Sequence, residues 1–196
     1  KKNGEEINPE NMYVYNNPYA TLITFGDKLY VHGGYTIGFG MIQGANNTLS
    51  TSDGMTWEVL TTTVVDEAKL TIPTIGTNLF VFKNKLYMVG GFSSYIDPKN
   101  MKNGVFSSTD GTTWKLEAET VEGFKNLYQS KVVVNNNIIY LFGGETLGAD
   151  GETRLLSNFV YRSTDAIHWT PISVPKSFIG TRYVSSAIMG QAVWFF

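Results

Sequence analysis

Cysteine is absent from this chain of 196 residues, and its absence excludes several kinds of chemistry together. Without thiols there are no disulfides, no cysteine-ligated zinc, no thiol nucleophile and no cofactor crosslinked through sulfur. Histidine is scarce as well, since the chain has only His32 and His168, and neither has another histidine at metal-ligand spacing. We therefore expect no metal site, no cofactor and no catalytic residue that can be assigned from the sequence.

Charge is also in short supply. Charged residues make up 16% of the chain, the formal net charge is −2, and like charges do not cluster in long runs. Such a sequence has no cluster of positive charge that would attract nucleic-acid phosphates or an anionic membrane. The apolar run at residues 187–196 is interrupted by Gly190 and Gln191 and is shorter than the roughly 20 residues that cross a bilayer. We expect no nucleic-acid partner and no membrane span.

Two short phrases recur three times in fixed order, which identifies a repeat protein. The first ends an apolar strand with two glycines, and in the second a tryptophan follows an aspartate by four residues. The phrases occupy residues 29–34 and 51–57, residues 86–91 and 108–114, and residues 139–144 and 163–169. Trp194 matches the tyrosine of the first phrase in a fourth unit. A period of about 55 residues predicts three complete units and part of a fourth.

Each unit is predicted to contain four short strands, because apolar and β-branched residues alternate between turn residues. In the first unit these are residues 20–25, 28–33, 47–52 and 56–60, and in the second they begin near Thr77, Lys85, Val105 and Thr113. The predicted units are residues 20–61, 74–118, 127–173 and, in part, 181–196. Residues 1–19 are expected to form a tail or the outer strand of a preceding unit.

This pattern resembles the kelch repeat of the galactose-oxidase-like β-propeller superfamily, over about residues 18–196. The resemblance implies an all-β propeller of four-stranded blades, here an incomplete ring that we expect to continue for two to four more blades in the natural protein. The second phrase is also similar to the Asp box of sialidase propellers, one residue short. In both families these residues are structural. The resemblance therefore implies a structural role for Gly33, Gly34, Asp53, Trp57, Gly90, Gly91, Asp110, Trp114, Gly143, Gly144, Asp165 and Trp169.

The turns before the tryptophans carry one irregularity. Asp53-Gly54 and Asp110-Gly111 suit two-residue turns, because glycine tolerates a positive φ and aspartate can accept bonds from nearby backbone N–H groups. The third unit has Ala166 in place of glycine, which predicts a wider or differently typed turn.

Four antiparallel strands place the loops of each unit on two opposite sides. One side has tight turns, and the other has the long segments 35–46, 92–103 and 145–157 with the linkers between units. Binding residues concentrate on long loops held by a rigid scaffold, so this side is the predicted binding face. The candidates for ligand binding are Tyr35, Phe39, Tyr95, Asp97, Asp150, Glu152, Arg154 and Arg182.

The chemistry of the related enzymes does not carry over. Galactose oxidase needs copper held by tyrosine and histidine with a Tyr–Cys crosslink, and a sialidase needs an arginine cluster where this chain has three arginines in total. The acidic turn at Asp150 lacks the regularly spaced ligands of a calcium loop.

We interpret the chain as a non-enzymatic propeller module that binds a carbohydrate or a protein. The alternatives are a carbohydrate-active enzyme, for example one similar to a sialic-acid epimerase with residues from further blades, and an intracellular kelch adaptor. Abundant Asn, Tyr, Gly and Thr with few charges favour a secreted, periplasmic or surface location. The sequence leaves the ligand and the oligomeric state open.

Overall fold

The computed structural model describes residues 19–38, 41–44, 48–65, 72–92, 104–119, 127–175, 180–182 and 184–195. These residues form strands, turns and bends without a helix, so the described chain is all-β. The strands are β1 (Ala20–Phe25), β2 (Lys28–Gly33), β3 (Tyr35–Gly38), β4 (Met41–Gly44), β5 (Thr48–Thr51), β6 (Glu58–Leu60), β7 (Thr63–Val65), β8 (Asn78–Phe82), β9 (Lys85–Val89), β10 (Val105–Ser108), β11 (Thr113–Ala118), β12 (Lys131–Asn135), β13 (Ile138–Phe142), β14 (Glu145–Leu147), β15 (Arg154–Leu156), β16 (Val160–Ser163), β17 (Thr170–Ile172), β18 (Ser186–Met189) and β19 (Ala192–Phe195).

Three sheets share one strand order, as the repeat predicts. The orders are β1-β2-β5-β6, β8-β9-β10-β11 and β12-β13-β16-β17, and all of these pairings are antiparallel. We call them the first, second and third sheets. The hairpin β18-β19 follows at the position of a fourth unit. The first strands lie side by side, with β1 beside β8, β8 beside β12 and β12 beside β18.

Strand β7 is an addition that the sequence reading missed. It leaves the first sheet and pairs in parallel with β11, the outer strand of the second sheet. The N–H of Thr63 donates to the carbonyl of Thr112 over 2.9 Å. The linker between the first two units therefore covers the outer edge of the second sheet.

The turn between the first two strands of each sheet contains two residues. In the second and third sheets both residues have positive φ, at Lys83 and Asn84 (46° and 59°) and at Asn136 and Asn137 (49° and 59°). A positive φ at both positions matches the right-handed twist of a two-stranded hairpin. Asparagine tolerates this conformation better than most residues, which explains its abundance here.

The turn between the last two strands is held by one set of side-chain bonds. In the second sheet, Ser108 Oγ accepts the N–H of Gly111 over 2.9 Å, and Asp110 Oδ1 accepts the N–H groups of Thr112 and Thr113, each over 2.7 Å. Residues Thr51 and Asp53 repeat this arrangement in the first sheet.

The prediction for Ala166 was wrong. Ala166 has a φ of 70°, beside 74° for Gly54 and 77° for Gly111, and its N–H donates to Ser163 Oγ over 2.9 Å. The turn is therefore of the same type in all three sheets. The bonds made by Ser163 and Asp165 hold alanine in a conformation that its Cβ disfavours.

The diglycines allow the sheets to approach each other. The N–H of the second glycine donates to a carbonyl in the next linker, from Gly34 to Thr74, Gly91 to Leu127 and Gly144 to Thr181 over 2.6 to 2.8 Å. A Cβ on the preceding glycine would lie 2.0 to 2.5 Å from the same carbonyl oxygen, and that glycine has a positive φ in each case. Glycine is therefore required at this position for two independent reasons.

The core lies between the sheets. Trp114 and Trp169 are 1% and 4% exposed, and each packs with side chains of the preceding sheet, as predicted. Trp57 is only half-buried among the described residues, contrary to prediction. Among the described residues there is no helix of the length and apolarity needed to cross a membrane.

His32 confirms the prediction that it packs against the next unit. It is 2% exposed, and its ring lies 6.3 Å from that of Trp114. Nε2 is 3.0 Å from the carbonyl oxygen of Pro73, so Nε2 carries the proton, and Nδ1 accepts a bond from the Thr48 hydroxyl over 2.8 Å. Burial lowers the pKa of His32, although the bond to Pro73 opposes the shift.

Candidate functional site

The two ends of the sheets differ as the loop lengths predict. One end, which we call the turn end, has the tight turns described above. At the other end two of the long segments form β-hairpins: β3-β4 follows the diglycine of the first sheet, and β14-β15 follows that of the third. We call this the hairpin end. The two segments that the structure describes at this end are therefore hairpins rather than irregular loops.

Equivalent positions at the hairpin end are defined by backbone bonds. The residue after each diglycine is Tyr35, Phe92 or Glu145. In the linker after each unit, the carbonyl group that accepts the N–H of the second glycine belongs to Thr74, Leu127 or Thr181. The residue that follows it is Ile75, Tyr128 or Arg182, respectively. These six residues form three pairs, each joining one unit to the next, and we call them the linker pairs.

The three linker pairs have different chemistry. Tyr35 packs against the cluster that contains Ile75, and the rings of Phe92 and Tyr128 meet edge to face at 4.5 Å. In the third pair the Arg182 guanidinium donates to Glu145 Oε1. An ion pair thus stands where the two preceding units have apolar or aromatic contacts.

Glu145 is buried with two cations nearby. Its side chain is 4% exposed, that of Arg182 is 48% exposed and that of Arg154 is 33% exposed. Arg154 Nη1 lies 3.8 Å from Glu145 Oε2, an oxygen that forms no hydrogen bond with the described residues. One carboxylate and two guanidinium groups leave the cluster with one net positive charge.

Aromatic rings flank this cluster. The Arg154 guanidinium lies over the ring of Phe92, 5.5 Å from its centroid, in a cation–π contact. Tyr128 packs on the same ring, and Tyr35 stacks in a tilted geometry on Tyr19 at 5.3 Å. We call Tyr35, Phe92, Tyr128, Glu145, Arg154 and Arg182 the face cluster.

The face cluster contains three of the predicted binding residues, Tyr35, Arg154 and Arg182. Asp150 and Glu152 lie instead in the turn of the β14-β15 hairpin, where Asp150 Oδ1 accepts the N–H groups of Glu152 and Thr153 over 3.0 and 2.8 Å. Bonds from the Thr153 hydroxyl and from these two N–H groups lower the pKa of Asp150 to about 2. Asp150 therefore holds the turn. Phe39, Tyr95 and Asp97 lie outside the described residues.

The sequence reading missed Glu145, Phe92 and Tyr128 as members of this cluster. A signal for Glu145 was present, because aligning the diglycines puts a carboxylate in register with Tyr35 and Phe92. A charged residue at an otherwise aromatic repeat position departs from what the fold requires.

Comparisons with known proteins identify a fold relative. No protein-family model matches this chain, and no curated protein sequence matches it significantly. Solved structures do match, among them a structure of YjhT with a TM-score of 0.72 and 16% sequence identity. The match covers 91% of this chain and 58% of YjhT, so this chain spans a little over half the length of that protein. The likeness shows a shared fold and leaves the activity to be argued from the site.

Proposed function

We propose that the chain is part of a β-propeller and that its hairpin end binds a carbohydrate. Three observations support the propeller: each sheet has the same strand order, the first strands lie side by side, and the diglycines let each sheet bond to the next linker. These are the features of kelch-like blades arranged around an axis. The sheets supply a rigid base for the face cluster.

The replacement of an aromatic linker pair by Glu145 and Arg182 carries the functional proposal. A buried ion pair rarely stabilises a fold more than apolar side chains of similar volume, because both charges lose their hydration. The first two units have apolar or aromatic side chains at the equivalent positions, in the linker pairs Tyr35–Ile75 and Phe92–Tyr128, which supports the view that the fold accepts such side chains here. The charged pair is therefore best explained by a ligand.

The face cluster offers what a sugar ring uses. Guanidinium groups donate to hydroxyl oxygens, a carboxylate accepts from hydroxyl protons, and aromatic rings pack against C–H groups. Arg154 and Arg182 retain exposed surface beside the buried Glu145. Binding without chemistry is the simplest role for this set.

Calorimetric titration and thermal melts with a panel of neutral and acidic monosaccharides would test the proposal. A ligand at about 100 times its Kd should stabilise the chain by roughly 2.7 kcal/mol. Arg154→Ala and Arg182→Ala should abolish the shift. The matched control is Arg162→Ala, which removes an exposed arginine of β16 outside the face cluster. A melt that no sugar moves would refute the carbohydrate proposal and favour a protein partner on the same face.

A carbohydrate-active enzyme is a second candidate, favoured by Glu145 Oε2. This carboxylate oxygen is buried and forms no hydrogen bond with the described residues, so a sugar that displaces the partly exposed arginines would meet an acceptor for its proton. Proton NMR in D₂O would detect the interconversion of a bound sugar or its exchange with solvent deuterium. Turnover that is lost in Glu145→Gln, with sugar affinity retained, would support catalysis, and binding without turnover would exclude it.

A further inference from the structure

The residue before each diglycine is buried in all three sheets, but in the first sheet alone it is ionisable. In the other two sheets this residue and its cross-strand partner form apolar pairs: Val89 with Val105, and Phe142 with Val160. The equivalent pair of the first sheet is His32 with Thr48, and both side chains are buried. Since the fold forms twice with apolar side chains at this position, the buried polar pair requires another explanation.

The contacts of the His32 ring suit its neutral form. In that form Nε2 donates to the carbonyl of Pro73, and Nδ1 accepts from the hydroxyl of Thr48. A second proton on the ring turns Nδ1 into a donor, so the Thr48 hydroxyl has to rotate and present its oxygen instead. Proton uptake also creates a buried positive charge, which is costly without a partner of opposite charge.

Among the described residues, the elements packed around this ring direct no charged side chain at it. β1, β5 and the linker contribute threonine and proline, and β11 contributes Trp114. On the same face of β2, Tyr30 donates to the carbonyl of Asp110, and burial raises its pKa, so it is neutral in acid. Lys115 of β11 alternates to the opposite face, where it pairs with Glu117. No carboxylate is therefore placed to compensate a charged ring.

The bond from His32 holds the linker that joins the first two units. The residue after Pro73 accepts the N–H of Gly34 over 2.7 Å. The next residue, Ile75, exchanges two backbone bonds with Phe92, of 3.0 and 3.1 Å. Phe92 belongs to the face cluster, so the ring of His32 fixes the linker directly beside the bonds that connect it to the hairpin end.

We propose that His32 is an acid-sensitive link between the first two units, and that proton uptake by its ring loosens the linker at Pro73. The neutral ring holds the linker, and the charged ring has to rearrange its bonds and reach water. The loosening extends to the backbone bonds between Ile75 and Phe92, so it changes the hairpin end while the sheets stay folded. The inference does not depend on what the face cluster binds.

The pH range of this effect follows from linkage between proton binding and folding. Burial lowers the pKa of His32 below the ordinary 6.5, so the unfolded chain binds the proton more readily than the folded chain. The stabilisation by the neutral ring is therefore complete above about pH 6.5 and is lost as the pH falls toward the pKa of the folded state. The aspartates of the turn end, with pKa values of about 2, titrate at lower pH.

The first test uses the unchanged full chain and NMR between about pH 7.5 and about pH 4.5. The imidazole resonances report the protonation of His32, and hydrogen exchange reports the protection factors of the amides of Ile75 and Phe92. Both protection factors should fall at least about tenfold as His32 titrates. The internal control is the equivalent pair in the next linker, Tyr128 and Glu145, which exchange backbone bonds of 3.0 and 2.7 Å and should keep their protection.

The second test copies the apolar pair of the second sheet into the first. The double change His32→Val with Thr48→Val reproduces Val89 and Val105, and its urea midpoint should not vary over this pH range. In the unchanged chain, the equilibrium constant for unfolding should rise by up to about tenfold for each pH unit below 6.5. The matched control is His168→Gln, which removes the other, exposed histidine and should retain this dependence.

Three results would overturn the proposal. In the first, the His32 ring titrates while Ile75 and Phe92 keep their protection. In the second, the ring stays neutral until the sheets unfold, or protection is lost equally at Tyr128 and Glu145. In the third, the double valine variant keeps the pH dependence of the unchanged chain. The exchange measurement needs no variant, so it decides the question even where the valine pair does not fold.

Discussion

The turn end and the hairpin end of the sheets differ in how closely the three units repeat one another. At the turn end, the side-chain bonds of Ser108 and Asp110 recur with nearly identical lengths in the other two sheets. At the hairpin end, the linker pairs change from apolar to aromatic to ionic. The units of a repeat protein can be compared with one another. Features that all units share meet the needs of the fold, and a feature found in one unit requires another explanation.

The diglycines lie at the hairpin end, but they recur in every unit. They should therefore serve the fold rather than a function of one unit. Gly90→Ala should be the most damaging single change. A Cβ there would lie 2.5 Å from the carbonyl oxygen of Leu127, and the φ of 71° already disfavours alanine. We expect a loss of roughly 4 kcal/mol in the free energy of unfolding, measured by urea titration.

The control for Gly90→Ala is Gly54→Ala at the turn end. Gly54 has a similar φ of 74°, but no atom lies within 4 Å of its added Cβ. This change should cost only the backbone strain, about 1 kcal/mol. Equal losses at both sites would mean that close approach between the sheets contributes nothing and that φ alone determines the glycine requirement.

The ionic linker pair can be converted into its aromatic counterpart. Glu145→Ala alone should cost about 2 kcal/mol, less than the roughly 3 to 5 kcal/mol of a fully buried pair, because the Arg182 side chain is 48% exposed. The double change Glu145→Phe with Arg182→Tyr copies Phe92 and Tyr128, and we expect it to recover that loss or exceed it by about 1 kcal/mol. The double variant should melt normally and bind no sugar.

That double variant decides whether the hairpin end is functional or structural. If it is less stable than Glu145→Ala, the charges stabilise the fold. The difference between the two ends would then give no evidence of function. Calorimetric titration with the sugar panel supplies the second readout, because a purely structural ion pair would leave affinity unchanged in any variant that folds.

The aspartate bonds at the turn end should stop stabilising the fold in acid. Bonds from Thr56 and Met55 lower the pKa of Asp53 to about 2, and for Asp110 and Asp165 burial acts to raise the pKa but bonded donors outweigh it, so that both are also about 2. These folded pKa values lie below the ordinary 3.8. The unfolded chain therefore binds more protons, and the stabilisation is complete above about pH 4 and is lost as the pH falls toward 2.

Asp110→Asn measures how much of the stability lost in acid comes from one turn. We expect it to remove about 1 kcal/mol of stability at pH 7, after allowance for solvent screening of a mostly exposed group, and to flatten the decline below pH 4. Urea midpoints between pH 2.5 and pH 7 provide the measurement. An unchanged pH profile in Asp110→Asn would show that carboxylates elsewhere dominate acid unfolding.

The shared features were predictable from sequence, and the unit-specific ones were not. The predicted segments 20–25 and 28–33 match β1 and β2, because alternation and turn residues are local signals. Strand β7 could not be foreseen, since its partner β11 lies about 50 residues away and parallel pairing leaves no local signature. Of the face cluster, Arg154 and Arg182 were chosen for lying on long segments, but their meeting at Glu145 is a tertiary fact.

Ala166 stands where the other two units have glycine in the turn before the tryptophan, and its replacement should have the smallest effect. Ala166→Gly relieves a positive φ of 70°, worth about 1 kcal/mol, but removes a fully buried methyl group worth about 0.8 kcal/mol. The free energy of unfolding should therefore change by less than about 0.5 kcal/mol. The reverse change in the second sheet, Gly111→Ala, puts a Cβ 2.5 Å from the ring of Tyr30 and should cost about 2 kcal/mol. A large loss in Ala166→Gly would show that the third turn depends on packing of the alanine methyl rather than on the Ser163 and Asp165 bonds that it shares with the other two.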